Sequence, residues 1–334
     1  LSIRRQRQMC IRDRMLVEVK SALTCGTDVK MYKRGHPKVR PPITLGHEFA
    51  GIIAEVGGKT AERFRVGDKV AAANSAPCNS CFFCMKGKPN LCERLLDTLI
   101  GFSVDGAYAE YIRVPPRIVK QNTFKVPERI PYEEAALLEP LACAINGNDA
   151  ADINLGDTVA VIGSGPIGLI HIQLSKLKGA SKVIVTDMRQ ERLDIASKLG
   201  ADVMINASEE DQLGRLNELT NGLGADVVIE AVGLPQTWEL AVDMTRKAGT
   251  TLFFGGCPSG TTVSLDTDRI HYEDLTLKGT FHHTPLSVLK AYRLILGGKF
   301  RGAPLITGRM PLSETEEALQ IMSKGECIKI AITP

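Results

Sequence analysis

The stretch from Thr158 to Asp187 constrains the fold of this chain more than any other. An apolar run, Thr158-Val159-Ala160-Val161-Ile162, leads into Gly163-Ser164-Gly165-Pro166-Ile167-Gly168 and then a helical pattern to about Lys178. A second apolar run, Lys182-Val183-Ile184-Val185-Thr186, ends at Asp187, nineteen residues after the last of those glycines. A lone G-x-G-x-x-G is weak, but between a strand and a helix and followed by an acid it is the dinucleotide fingerprint. Gly163 allows the tight turn, Gly165 lets a pyrophosphate approach the backbone, and Gly168 lets helix and strand pack closely. The helix N-terminus offers unpaired N–H groups to the phosphates. Asp187 is suited to the ribose hydroxyls of NAD and repels the extra phosphate of NADP, while Arg189 could serve that phosphate; the reading is NAD.

The alternation continues beyond that unit. Val203–Asn206, Asp226–Ala231, Thr250–Phe254 and Leu275–Phe281 read as further strands, with helices at 190–199, 209–220 and 235–245. Strands alternating with helices imply a parallel, doubly wound sheet. Gly233, Gly255 and Gly256 follow strand ends, where such sheets receive ligands, although turn glycines are equally common there. At 334 residues the chain is long enough for two domains, and no apolar run approaches the ~18 residues of a membrane span.

The formal charge of +3 is set by the first fourteen residues, which hold five arginines (Arg4, Arg5, Arg7, Arg12, Arg14) and one acid, Asp13. That is a net +4, so the rest of the chain carries −1. A near-neutral body gives no electrostatic reason to expect nucleic acid as a partner. Residues 1–14 could pass for an Arg-rich transit peptide. However, Gln8-Met9-Cys10-Ile11-Arg12-Asp13-Arg14 resembles a translated sequencing adapter, and the segment is read as an artefact that replaces a natural N-terminus.

Nine cysteines without a signal peptide argue against a disulfide framework and for a reducing, cytoplasmic compartment. Four of them, Cys78-x2-Cys81-x2-Cys84-x7-Cys92, fall in a loop with Pro77, Gly87 and Pro89. Four thiolates at that spacing suit one tetrahedral zinc with a closed shell, hence a structural site; an iron–sulfur cluster is the rival. Cys143, Cys257 and Cys327 read as small core residues.

Upstream of the nucleotide unit lies a mixed donor set. Cys25-Gly26-Thr27-Asp28, Gly46-His47-Glu48 and Leu138-Glu139-Pro140 offer a thiolate, an imidazole and two carboxylates. Such a set is typical of a catalytic zinc with an exchangeable position, although a lone Cys, His or Glu is more often a core or solvated residue.

In this order, these motifs make the sequence similar to the zinc-dependent medium-chain dehydrogenase/reductase family over about residues 15–334. This family belongs to the alcohol dehydrogenase superfamily, and the likeness is to its polyol/sorbitol–threonine branch. The resemblance implies an α/β chain with a chaperonin-10-like β-barrel catalytic domain at 15–143. A Rossmann doubly wound parallel sheet would follow at 144–285, with a return to the catalytic domain at 286–334. It implies two zinc ions per chain. Cys25, His47 and either Glu48 or Glu139 would hold the catalytic one, and Cys78, Cys81, Cys84 and Cys92 the structural one. It makes Asp28 the acid that orients His47, Thr27 the acceptor of the substrate's hydroxyl proton, and Ile167, Asp187 and Arg192 cofactor contacts. The implied reaction is reversible oxidation of a secondary alcohol on a small hydroxylated substrate, by a homodimer or homotetramer.

Two features depart from the family pattern. Lys30 stands where the branch commonly has a relay histidine, and Gly279-Thr280-Phe281-His282-His283-Thr284 does not match the sorbitol dehydrogenase segment. The basic stretch Lys30, Lys33, Arg34, Lys38, Arg40 could meet a sugar phosphate but reads as a solvated loop. The alternatives are oxidation of L-threonine at its hydroxyl carbon and a non-catalytic NAD-binding sensor.

Overall fold

The structure, a computed structural model, describes residues 14–36, 39, 41–58 and 62–334. The adapter-like segment, apart from Arg14, and the basic positions Lys38 and Arg40 lie outside the described residues.

Two compact units make up the chain, one running up to Cys143 and resuming at His283–Pro334, the other spanning Ala144–His282. The second boundary falls three residues before the sequence-based one. The reason is local: the His283 ring is buried against Asn74, at 3.0 Å from its side-chain oxygen.

The first unit is built on a seven-stranded sheet. Its strands are β1 (Met15–Leu23), β2 (Glu48–Val56), β3 (Lys69–Ala72), β4 (Tyr111–Val114) and β5 (Thr123–Lys125). The returning segment adds β12 (Ile306–Pro311) and β13 (Lys329–Thr333), giving the order β12-β13-β1-β2-β3-β5 with β4 also on β1. β1 is the hub, because Met15 to Glu18 pair with β4, Ala22 and Leu23 with β13, and β2 accompanies it throughout. Met15, Val17 and Val19 are buried and alternate with the half-buried Glu18 and Lys20, while Leu16, Ala22 and Leu23 are buried at the strand's ends. Met15, Val17 and Val19 join Phe49, Ile53, Phe64, Ile100, Ile112 and Ile118 in one buried core.

The second unit holds six strands, all parallel: β6 (Thr158–Ile162), β7 (Lys182–Asp187), β8 (Val203–Asn206), β9 (Ala225–Glu230), β10 (Thr245–Phe253) and β11 (Thr276–Gly279). Their order, β11-β10-β9-β6-β7-β8, reverses at β6, the switch point at which doubly wound sheets bind ligands. Differences from the expected strands are confined to ends. β10 begins five residues earlier because Thr245 pairs with Ala225 ahead of a register shift, with Ala248 at a positive φ of 56° between them.

The helix Pro166–Leu177 is buried from Gly168 to Ser175, and that run includes a histidine. His171 is wholly buried, its ring packs edge-on to Phe254 at 4.8 Å, and neither ring nitrogen has a hydrogen-bond partner. Burial alone pushes its pKa down to about 3. The unfolded chain therefore takes up a proton near pH 6.5 that the folded chain refuses, and stability present above that pH is lost as pH falls toward 3. His171→Leu is expected to raise the thermal midpoint at pH 5 by the equivalent of about 2 kcal/mol and much less at pH 8. Thermal unfolding followed by circular dichroism across pH 4.5–8 checks this, and parallel wild-type and variant curves would contradict it.

Candidate functional site

Strand register assembles the mixed donor set. Leu23 faces Glu48 across the β1–β2 ladder, so the chain leaving β1 passes beside His47. On the other side Leu23 faces Ala331, the Thr24 N–H donates to the Ile330 carbonyl at 3.0 Å, and the Ile330 N–H donates to Thr24 Oγ1 at 2.9 Å. Cys25 then caps the helix Gly26–Arg34, and Asp28 lies one turn on, fully buried.

The donor atoms of Cys25, His47 and Glu48 lie within 4.8 Å of one another. His47 Nδ1 is 3.1 Å from Asp28 Oδ1 and donates to it, which leaves Nε2 as the ring's free donor atom for a metal. The Tyr108 hydroxyl, which sequence reading missed, donates to the other Asp28 oxygen at 2.9 Å and lies 3.2 Å from the Leu23 carbonyl. Tyr108 reaches this position because Gly46, at φ +89°, lets the two backbones touch; a Cβ there would sit 2.7 Å from the Tyr108 ring.

The electrostatics of this pocket call for a cation. Burial disfavours a charged imidazole, yet Asp28 and Cys25 outweigh it and raise His47 well above its ordinary value. Burial likewise pushes Glu139 up to about 7, with His47 working against it and Glu48 adding to it. Glu139 accepts from the Cys143 thiol at 3.5 Å, and burial raises Cys143 well above the usual thiol range. Cys143 therefore sits beside a candidate ligand rather than serving only as core filling. His283 shares this region, a ring nitrogen lying within 4.8 Å of a Glu139 oxygen.

The two carboxylates differ in one respect that sequence reading did not foresee. Glu48 is wholly buried and paired with Lys329, whose ammonium lies 2.7 and 2.6 Å from its two oxygens and donates to the Thr24 carbonyl at 3.0 Å. Lys329 is itself 1% exposed. A lone lysine inside Ile328-Lys329-Ile330-Ala331-Ile332 was the available signal, since buried lysines are almost always paired. Among the described residues no ion pair joins Glu139 to a lysine or arginine. Thr27 lies half-buried in the first turn of the Gly26–Arg34 helix, and Lys30 is exposed further along it.

The four-cysteine loop forms a separate centre. The sulfurs of Cys78, Cys81, Cys84 and Cys92 lie within 4.8 Å of one another, with Cys81 3.5 Å from Cys84 and 3.8 Å from Cys92. A tetrahedral zinc with ~2.3 Å bonds needs sulfurs about 3.8 Å apart, so the cage fits. Backbone N–H groups of Cys78 and Arg94 donate to Cys92 Sγ at 3.3 and 3.4 Å, and that of Cys81 to Cys78 Sγ at 3.3 Å, which suits thiolates.

In the second unit the fingerprint turn has the expected form. Gly163 has φ +92°, and a Cβ on Gly168 would overlap the Gly163 carbonyl oxygen. Asp187, at the end of β7, accepts from the Ser164 N–H and hydroxyl at 2.7 and 2.9 Å and from the Arg189 N–H at 3.0 Å. Ser164 is a residue the motif left unspecified. Ile167 and Arg192 are half-buried, and an Arg192 guanidinium nitrogen lies 3.9 Å from the Cβ position of Gly165. Gly165, Ile167 and Arg192 thus border the same turn.

A GroES-like sheet with a mixed thiolate–imidazole–carboxylate pocket, a four-thiolate cage and a Rossmann unit together define a zinc-dependent dehydrogenase. Residues 166–296 match the zinc-binding dehydrogenase family and residues 12–128 the alcohol dehydrogenase GroES-like domain. The chain is 32% identical over 327 residues to an L-threonine 3-dehydrogenase of Bacillus licheniformis, covering 96% of this chain and 91% of that protein. It is 33% identical to a sorbitol dehydrogenase of Bacillus subtilis, covering 96% and 90%. An alcohol dehydrogenase from Thermus sp. ATN1 superposes with a TM-score of 0.87 at 31% identity, covering 98% and 94% of the two chains. The chain belongs to the zinc-dependent medium-chain dehydrogenases of the alcohol dehydrogenase superfamily and is an oxidoreductase acting on CH–OH donors.

The closed cage and the open pocket respond differently to the loss of a ligand. Cys84→Ser is expected to lower zinc from two per chain to about one and to reduce the thermal midpoint. Metal analysis by plasma emission checks it, and unchanged zinc content would remove the cage from the assignment.

Proposed function

We propose that the protein catalyses reversible oxidation of a secondary hydroxyl on a small polyhydroxylated substrate to a ketone, with NAD as the hydride acceptor. The observation that carries this reading is the Cys25–His47–Glu48 donor cluster with His47 locked by Asp28; Glu139 lies outside that cluster but feels the charges of His47 and Glu48. Cys25, His47 and Glu139 hold the catalytic zinc in this reading, while Lys329 keeps Glu48 off it in the resting site. Zinc, when bound, supplies the Lewis acidity that makes a substrate hydroxyl acidic near neutral pH.

The protein's own groups do the remaining work. Asp28 holds the His47 ring so that one nitrogen always faces the metal position. Thr27, in the first helical turn after Cys25, accepts the hydroxyl proton and passes it toward solvent. In the second unit, Gly163, Gly165 and Gly168 admit the pyrophosphate, Ile167 and Arg192 flank it, and Asp187 takes the adenosine ribose and disfavours NADP. Cys78, Cys81, Cys84 and Cys92 hold the structural zinc.

A polyol is favoured over a simple alcohol because the pocket has carboxylates where a second cysteine would be less polar. Relatives named as threonine dehydrogenases keep amino-alcohol oxidation as the second reading. A sensor without turnover has no use for an open zinc site. Among the described residues no disulfide joins any cysteine, which suits a reducing, cytoplasmic setting. No helix among the described residues is long and apolar enough to cross a membrane. β11, at the edge of its sheet and largely exposed, is available for pairing in a homodimer or homotetramer.

Cys25→Ser is expected to cut turnover by about a hundredfold or more while NADH binding is retained. Glu139→Gln should release the catalytic zinc, and Glu48→Gln should keep it. A spectrophotometric panel of polyols, polyol phosphates and L-threonine with NAD and NADP, alongside metal analysis, reads all three. No reduction of either nucleotide on any of them, or zinc loss from Glu48→Gln alone, would overturn the assignment.

A further inference from the structure

The last residue of β9 is an acid that the functional reading leaves unused. Glu230 closes the strand Ala225–Glu230, at the carboxyl end of the sheet and next to the switch point, and is wholly buried. Its Oε1 accepts three hydrogen bonds, from the N–H groups of Val232 and Gly233 and from the Thr237 hydroxyl, each at 2.8 Å. Its main-chain carbonyl accepts from the N–H groups of Phe254 at 3.0 Å and Gly255 at 2.9 Å, in the turn after β10. One residue therefore ties together the turns that follow two neighbouring strands.

The turns are also fitted to each other. A Cβ on Gly233, at φ +85°, would lie 2.7 Å from the Gly256 carbonyl oxygen, and one on Gly255 would lie 2.6 Å from Glu230 Oε2. Trp238 donates from Nε1 to the Gly255 carbonyl at 2.9 Å and stacks on Phe253 at 4.2 Å. The contact reaches the phosphate turn, since Val232 Cγ2 lies 2.6 Å from the Cβ position of Gly163 and the Ala231 N–H donates to the Ile162 carbonyl at 2.9 Å. A buried carboxyl group whose Oε1 accepts from three donors, while Oε2 has no hydrogen-bond partner, fixes these loops before any ligand arrives.

We propose that Glu230 is a positioning residue for the dinucleotide, pre-setting the turns after β6, β9 and β10 into their cofactor-receiving form; this rests on the reading that the second unit binds NAD. Glu230 touches no reacting atom in this account. Its removal loosens the free protein's loops, and the cofactor must then order them on binding, so the loss falls on affinity.

The test uses the full-length, zinc-loaded protein. Glu230→Ala is expected to raise the NADH dissociation constant, read by fluorescence titration, by about tenfold or more. Turnover at saturating cofactor should stay within about threefold of wild type. Glu230→Gln, which keeps an acceptor oxygen for the two N–H groups, recovers most of the affinity. Thr237→Val removes one of the three donors to Glu230, together with the hydroxyl's bonds to the Leu234 backbone, and shifts the constant in the same direction by less; this keeps the test sound if Glu230→Ala does not fold. Hydrogen exchange at 231–237 and 254–256 should be faster in the alanine variant without cofactor and return toward wild type at saturating NADH. An NADH constant within twofold of wild type in Thr237→Val and in Glu230→Ala where it folds, or equal losses in affinity and turnover, overturns the proposal. A wild-type protein that binds neither NADH nor NADPH is a different result, and it overturns the nucleotide reading itself.

Discussion

The register of β1 is the constraint on which the metal pocket depends. That strand is shared among three partners, and its last residues are clamped between β2 and β13. Leu23 faces Glu48 on one side and Ala331 on the other, so Cys25, His47, Glu48 and Lys329 converge although some 300 residues separate the first from the last. A slip of one residue would turn every side chain of β1 to the opposite face. It would also carry Cys25 away from His47. The dense apolar core around Met15, Val17, Phe49 and Ile112 resists such a slip, and in this sense packing energy is what holds the donor set in register.

Apart from the mixed donor set, which family resemblance brought together, the parts of this arrangement that were legible in sequence share one property: they are local. The turn at Gly163–Gly168 follows from sterics within six residues, and Cys78 to Cys92 close a cage within fifteen. Asp28 sits one helical turn from Cys25, so its place behind His47 could be expected once Cys25 and His47 were paired. Tyr108, Lys329 and Ser164 were not foreseen because their partners come from ladder geometry or from a motif position open to any small residue. Lys329 did leave a trace, as the only charge in its strand, and Glu230 a weaker one, as an acid closing the apolar run Val227-Val228-Ile229. A buried charge without an obvious partner in sequence is a statement that a partner exists in space. Cys143 was read as core, and its half-burial beside Glu139 departs from that reading.

The two thiolate-bearing centres solve the same electrostatic problem by different routes. In the four-cysteine loop the backbone supplies the compensation, with N–H groups aimed at sulfur. Ser80 N–H and hydroxyl groups do most to bring Cys78 down to about 6. A loop can offer such groups because its backbone is not committed to a ladder. In the sheet-borne pocket those groups are already paired strand to strand, and compensation comes from side chains instead: Asp28 for the imidazole, Lys329 for Glu48.

That difference bears on which carboxylate completes the open site. Removing water from two charges is costly, and a buried pair persists only when its geometry is close and its remaining hydrogen-bonding capacity is met. Glu48 and Lys329 meet both conditions, with the ammonium also held by the Thr24 carbonyl. Moving Glu48 to a metal would strand a wholly buried ammonium, a step that costs about 3–5 kcal/mol when a buried pair is broken. Glu139 has no such tie: its neighbour is a thiol, and burial already holds its carboxyl up to about 7. A divalent ion beside it would relieve that penalty rather than add one. These energetics support the proposal above that Glu139 is the resting ligand, with Glu48 a carboxylate that Lys329 restrains.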